Sequence, residues 1–154
     1  GIGTTTPRAG LDVTHNDGLV ATGAFNSGNT ADLPTGAGTR LLWIPANGAF
    51  RAGSITGNHW DWTNLGVYSI ALGYNTRAPG QGAMALGSEN TASGIGATAL
   101  GEQTTASGDR ALALGWQTTA SGATSTALGW QTTASGATAQ ALGYQATASG
   151  DYST

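Results

Sequence analysis

The residues best suited to acid–base or metal chemistry stand together at His59-Trp60-Asp61-Trp62. A histidine two residues from an aspartate supplies half of a catalytic pair or half of a metal pair. The rest of either set is not marked out: the only other histidine is His15, cysteine is absent, and no G-x-S-x-G elbow presents a nucleophile. Gly80-Gln81-Gly82-Ala83-Met84-Ala85 and Gly94-Ile95-Gly96-Ala97-Thr98-Ala99 match G-x-G-x-x-A, but each lies inside a longer repeat with no helix after it, so neither reads as a dinucleotide loop. Asp109 and Asp151 occupy one turn of different repeats, where they could touch an ion, yet no ligand set accompanies them. No catalytic, cofactor-binding or metal-ligating residue is assigned, and the expectation is that the chain is not an enzyme. The His-Trp-Asp-Trp stretch reads better as the filling of a structural cap.

Two further patterns are carried by the repeat itself. Tyr74, Ser88, Glu102, Trp116, Trp130 and Tyr144 recur at one position, so three aromatic rings fall on consecutive repeats. Exposed rings of this kind can contact sugars or receptor side chains. The plainer reading, in which each ring covers the neighbouring coil, is preferred. Thr91, Thr105, Thr119, Thr133 and Thr147 align with Ser93, Ser107, Ser121, Ser135 and Ser149 as a hydroxyl ladder, interrupted in the first repeat by Arg77 and Pro79. Such an array could order water and bind ice; a solvated face of strand-favouring residues is the preferred reading.

The element that must position all of these is a fourteen-residue unit. Arg110–Ala123 (RALALGWQTTASGA), Thr124–Ala137 (TSTALGWQTTASGA) and Thr138–Asp151 (TAQALGYQATASGD) share it. The frame runs back without insertion through Gly96–Asp109, Gly82–Ile95 and Tyr68–Gln81. Six copies at a fixed period predict a solenoid, one coil per repeat. No apolar period of 3.6 residues is long enough for a helix. Gly73, Gly87, Gly101, Gly115, Gly129 and Gly143 form one glycine column, and Gly80, Gly94, Gly108, Gly122, Gly136 and Gly150 a second. Two turns per coil predict two strands of about five residues each, stacked at ~4.8 Å, and a rod of roughly 29 Å.

Alternation within the first strand puts Ala71, Ala85, Ala99, Ala113, Ala127 and Ala141 on one face. The other face carries Ile70/Leu72, Met84/Leu86, Thr98/Leu100, Leu112/Leu114, Thr126/Leu128 and Gln140/Leu142. Alanine suits a narrow coil interior, which leaves the leucines to be buried against other copies of the chain. The reverse, leucine inside and alanine outside, is the alternative. The expected subunit contact is Ile70, Leu72, Met84, Leu86, Leu100, Leu112, Leu114, Leu128 and Leu142. The candidate surface contacts are Tyr74, Trp116, Trp130 and Tyr144.

Composition agrees with a thin, repetitive β structure. Leu, Ile, Val and Phe make up 23 of 154 residues, below the ~20% with which a chain usually builds a core. Disorder would also call for high net charge, and here it is −3 with 8% charged residues. All five basic residues are arginines, Arg8, Arg40, Arg51, Arg77 and Arg110, and their scatter offers no patch for nucleic acid. No secretion signal or membrane-spanning run is evident, so no direct membrane contact is expected of this segment. Gly1 opens in mid-pattern and Asp151-Tyr152-Ser153-Thr154 starts a further repeat, so the sequence is expected to be an internal piece of a longer protein.

Ahead of the repeats, Leu11, Val13, Leu19 and Val20 suggest short strands around an Asn16-Asp17-Gly18 turn, and Gly23 to Gly38 is loop-like. Leu41-Leu42-Trp43-Ile44 predicts a buried strand and Ala49 to Thr56 another. Residues 1–66 are therefore read as an aromatic-rich β cap or connector, and 67–154 as six repeats plus the start of a seventh.

The A-L-G-x-x-T-x-A-S-G frame over Tyr68–Thr154 resembles the head repeats of trimeric autotransporter adhesins. That resemblance implies a left-handed parallel β-roll wound as a homotrimer about a shared apolar axis. It also implies an extracellular, cell-surface position anchored in the outer membrane through parts outside this segment, and adhesion to a host protein or glycan. The segment GIGTTTPRAGLDV is similar to segments of phage tail fibres and of bacterial surface proteins that end in a self-cleaving chaperone domain. The series Arg40 to Trp43, Phe50 to Gly53, Trp60-Asp61 and Asn64 to Gly66 resembles a block that precedes such rolls. The expected function is thus a structural and binding segment of a surface-displayed trimeric fibre, without cofactors. A phage tail-fibre shaft on the virion, an ice-binding solenoid and a hydrolase of surface glycans are the alternatives.

Overall fold

The computed structural model describes residues 33–154. The strands expected near Asn16-Asp17-Gly18, together with Arg8 and His15, lie outside the described residues. Two strands, β1 (Gly38–Ile44) and β2 (Ala49–Ile55), precede the repeats and form an antiparallel hairpin. Each repeat then contributes one five-residue strand: β3 (Ile70–Tyr74), β4 (Met84–Ser88), β6 (Thr98–Glu102), β8 (Leu112–Trp116), β10 (Thr126–Trp130) and β12 (Gln140–Tyr144). From the second repeat on there is also a two-residue strand: β5 (Thr91–Ala92), β7 (Thr105–Ala106), β9 (Thr119–Ala120), β11 (Thr133–Ala134) and β13 (Thr147–Ala148). The long strands and the hairpin make one eight-stranded sheet, β1-β2-β3-β4-β6-β8-β10-β12, and the short ones a five-stranded sheet. Every pairing after the hairpin is parallel. The chain is an all-β solenoid, and among the described residues the helical content is one short 3₁₀ turn, Trp62–Asn64.

From the second coil on, the second strand is two residues long rather than about five. The long strand runs through the first glycine column, so that column is not one of the two turns. The turn follows two residues later, at Asn75, Glu89, Gln103, Gln117, Gln131 and Gln145, all at φ near +50°. A second left-handed corner falls at Tyr68, Gly82, Gly96, Arg110, Thr124, Thr138 and Tyr152. A left-handed conformation costs a non-glycine residue ~1–2 kcal/mol. Each corner offsets this by donating its N–H to the previous coil, as in Gln117 N to Glu102 O (2.9 Å) and Thr124 N to Asp109 O (2.8 Å).

Alanine fills the interior. The columns through Ala71, Ala78 and Ala83 are buried along the rod, with Ser69 and Ser125 in the third of them. Leucine faces outward, which settles the facing in favour of alanine inside. A fourth interior column is Thr76, Asn90, Thr104, Thr118 and Thr132, all fully buried. Asn90 Oδ1 accepts from both the N–H (2.8 Å) and the hydroxyl (2.9 Å) of Thr104.

The parallel ladder begins before the first full repeat, because β2 lies in register on β3. Gly53 stacks on Gly73 twenty residues on, whereas Gly66 stacks on Gly80 after fourteen. The six extra residues hold Trp60, which is fully buried and donates Nε1–H to Thr76 O at 2.9 Å. Trp60 and Ile55 close the alanine core at this end. The run Leu41 to Ile44 is a strand as expected, but in the single chain only Ile44 is buried. Leu41 is 73% and Trp43 46% exposed, because no described residue covers the outward face of β1.

Both glycine columns are fixed by close approach. A Cβ on Gly101 would sit 2.0 Å from Gly115 O, and one on Gly108 2.0 Å from Gly122 O. Only the first column also requires positive φ, +127° at Gly101. Gly82, at φ +65°, has open space around its missing side chain. Gly101→Ala is expected to lower stability by at least ~3 kcal/mol, and Gly82→Ala by only about 1 kcal/mol. Equilibrium denaturation of the two variants checks this; equal losses would mean that conformation, and not contact between coils, fixes the column.

Candidate functional site

The outward face of the eight-stranded sheet is a continuous surface. Register lines up Trp43, Phe50, Ile70, Met84, Thr98, Leu112, Thr126 and Gln140. Beside them run Leu41, Ala52, Leu72, Leu86, Leu100, Leu114, Leu128 and Leu142. Residues in register on adjacent strands share a face, so the leucine rows extend into the hairpin. The first row is apolar from Trp43 to Met84 and turns mixed at Thr98, Thr126 and Gln140. Leu100, Leu128 and Leu142 are exposed in the single chain, while Ile70, Leu72, Met84, Leu86, Leu112 and Leu114 are half-buried.

At the end of each long strand stand Tyr74, Ser88, Glu102, Trp116, Trp130 and Tyr144. The Trp116 and Trp130 rings stack with centroids 3.9 Å apart and planes 24° from parallel; Trp130 and Tyr144 follow at 6.4 Å and 16°. The rings turn their faces to one another along the rod and their edges to solvent.

Next to the rings is a feature the sequence reading missed. Gln103 Nε2 donates to Glu89 Oε2 (2.9 Å), Gln117 Nε2 to Gln103 Oε1 (2.7 Å), Gln131 Nε2 to Gln117 Oε1 (2.9 Å) and Gln145 Nε2 to Gln131 Oε1 (3.0 Å). The glutamine column was visible in the aligned repeats. Its meaning was not, because these are the left-handed corner residues whose side chains the turn brings into line.

Beyond the corner, Thr105, Thr119 and Thr133 are half-buried, while Ser107, Ser121 and Ser135 are exposed. Arg77 pairs with Thr91 through an isolated bridge, and Pro79, without an N–H, follows it, so the first coil has no short strand. Asp109 and Asp151 are backbone clamps: Asp109 Oδ1 accepts from Ile95 N (2.9 Å) and Asp151 Oδ1 from Ala137 N (2.8 Å). Among the described residues no three His, Cys, Asp or Glu side chains gather to hold a metal ion, and no pocket is present.

The His59–Asp61 pairing does not form. Asp61 Oδ1 accepts from Gly36 N at 2.9 Å, and His59 Nδ1 is buried with no hydrogen-bond partner among the described residues. Burial, with the nearby Arg77 charge, lowers the His59 pKa. Arg51, which the sequence did not single out, is fully buried under the hairpin. It donates to Ser69 O (2.8 Å), Ser69 Oγ (2.7 Å), Phe50 O (2.9 Å) and Ala78 O (3.3 Å) and faces no carboxylate among the described residues. Desolvation lowers its pKa to about 10.

Two predictions follow from these groups. Below pH 10 the Arg51 guanidinium is charged in the folded and the unfolded chain alike, so its desolvation is a constant cost that lapses only at higher pH. Ser69 O and Ala78 O keep backbone donors in Phe50 N and Gly66 N. Arg51→Met should therefore raise stability by ~1–3 kcal/mol at neutral pH, read by denaturant unfolding; a loss would show that the arginine bonds outweigh its desolvation. His59, with a lowered folded pKa, binds protons better when unfolded. Stability should thus fall as pH drops through about 6.5, and a His59→Gln variant should show a flatter profile there.

The YadA head domain repeat family model matches residues 65–90, 92–118, 120–139 and 134–154, more than half of the chain. No match was found among curated proteins. The matched residues coincide with the stacked coils, from the bridge at Leu65 to the last short strand. The chain belongs to the YadA head repeat family, the β-solenoid heads of trimeric autotransporter adhesins.

Proposed function

We propose that this chain is a non-enzymatic adhesive segment of a surface-displayed fibre, and that it works as a homotrimer. The observation that carries this reading is the outward row from Leu41 through Ala52 to the leucines Leu72–Leu142, apolar on every strand of the large sheet. An alanine interior buries little more than one methyl group per residue, about 0.8 kcal/mol each. The outward leucines are apolar surface that the single chain leaves uncovered, and two further copies meeting along one axis cover them in all three chains.

The proposed contact is Ile70, Leu72, Met84, Leu86, Leu100, Leu112, Leu114, Leu128 and Leu142, continued in the hairpin by Leu41 and Trp43. In the division we propose, residues 1–66 form a cap or connector and residues 67–154 the head. The fibre stands outside the cell, and its outer-membrane anchor belongs to parts of the protein outside this segment. A stiff trimeric rod repeats each weak contact along three faces, so adhesion gains by avidity.

The solution mass of the purified chain, expected at three subunits, tests the assembly. Leu100→Asp with Leu128→Asp should release monomers, because three carboxylates would then crowd one axis at two levels. A trimer that survives both substitutions would remove the leucine face from the contact.

A further inference from the structure

We propose that the corner between the two sheets binds a neutral, hydroxyl-rich polysaccharide laid along the rod; this rests on the adhesive reading above and names its ligand class. The corner carries Trp116, Trp130 and Tyr144 beside the amides of Gln117, Gln131 and Gln145. Within the ladder Gln117 and Gln131 each use one N–H and one carbonyl lone pair. A primary amide has two donors and two lone pairs, so one donor and one acceptor per coil remain for a ligand, held at fixed spacing by the neighbouring amides.

Two residues past each glutamine, the hydroxyls of Thr119, Thr133 and Thr147 form no hydrogen bond with any described residue and continue the polar strip. From residue 111 to residue 150 there is no Asp, Glu, Lys, Arg or His. The strip therefore has nothing with which to hold a nucleic acid, a sulfated glycan or an acidic peptide. Sugar hydroxyls, each both donor and acceptor, match the amide and threonine groups, and the indole edges offer apolar contact to ring C–H groups. Coils follow one another at ~4.8 Å, on the scale of one pyranose ring, so successive sugars can meet successive coils and add their weak contacts.

Co-sedimentation of the whole chain with microcrystalline cellulose, from low to molar salt, with heparin beads as the acidic comparison, tests the proposal. Binding to cellulose that is unchanged by salt, with none to heparin, is expected. Thr119→Glu with Thr133→Glu should weaken it at least tenfold, and so should Gln117→Ala with Gln131→Ala, while solution mass holds and both variants stay folded. Absence of cellulose binding, salt-sensitive binding, or full binding by both variants overturns the proposal. So does a changed solution mass in both variants, since the corner would then be a contact between subunits. An intact trimer whose display makes cells adhere to other surfaces would leave the adhesive reading standing while this one fails.

Discussion

Contact between backbones at the two glycine columns is the constraint from which the rest of the molecule follows. In each column the space for a Cβ is taken by the glycine carbonyl of the next coil, about 2 Å away, from Gly53 and Gly66 down to Gly129 and Gly136. No side-chain adjustment relieves that, because the obstacle is backbone. The coils must be congruent at both columns, so the fourteen-residue period allows no insertion between them. The single insertion lies ahead of the first full repeat, where Trp60 fills the extra turn.

Coils drawn so close leave an interior only wide enough for Ala, Ser and Thr. Hydrogen bonds along the rod then define the fold, and apolar burial inside each coil is modest. The interior polar groups follow the same rule at short range, as where Asn90 bridges to Thr104. The hydroxyls of Thr76, Thr118, Thr132 and Ser125 have no partner among the described residues. Buried unpaired hydroxyls are costly. Bulky apolar side chains are excluded from the interior, so they collect on the outside, and the leucine rows are the consequence.

The same contact between coils decides which features were legible in the sequence. Period, solenoid class and facing could be read because they depend on which residue recurs at which offset, and the register preserves that offset from β3 to β12. Features set by backbone conformation were hidden. A strand through Gly101 at φ +127° looks like a turn in the sequence. A left-handed glutamine looks like any polar residue. Gly82 and Gly96 hinted at the second corner, but Arg110, Thr124 and Thr138 occupy the same place without glycine. Leu41 to Ile44 suggested burial because apolar runs usually mean it; the hairpin instead sets Leu41 and Trp43 on the outward face with the leucines. Arg51 was hidden for a similar reason. Its strand position is interior, in register with Ala71, and a charge is not expected there.

The position of Arg51 follows from how a solenoid must end. The alanine columns need something wider to close them, since no earlier coil covers the hairpin end among the described residues. Trp60 and Ile55 close one part, and Arg51 reaches across the other to carbonyls of two later segments, Ser69 and Ala78. A guanidinium can bond several carbonyls at once from a fixed plane, which suits a place where strands of different length meet and the regular ladder has not yet begun. The charge raises the free energy of the fold, but it ties the hairpin, the insertion and the first coil to one another. Once that first coil is set, each later one needs only its two glycines, its alanines and its corner residue to continue the stack.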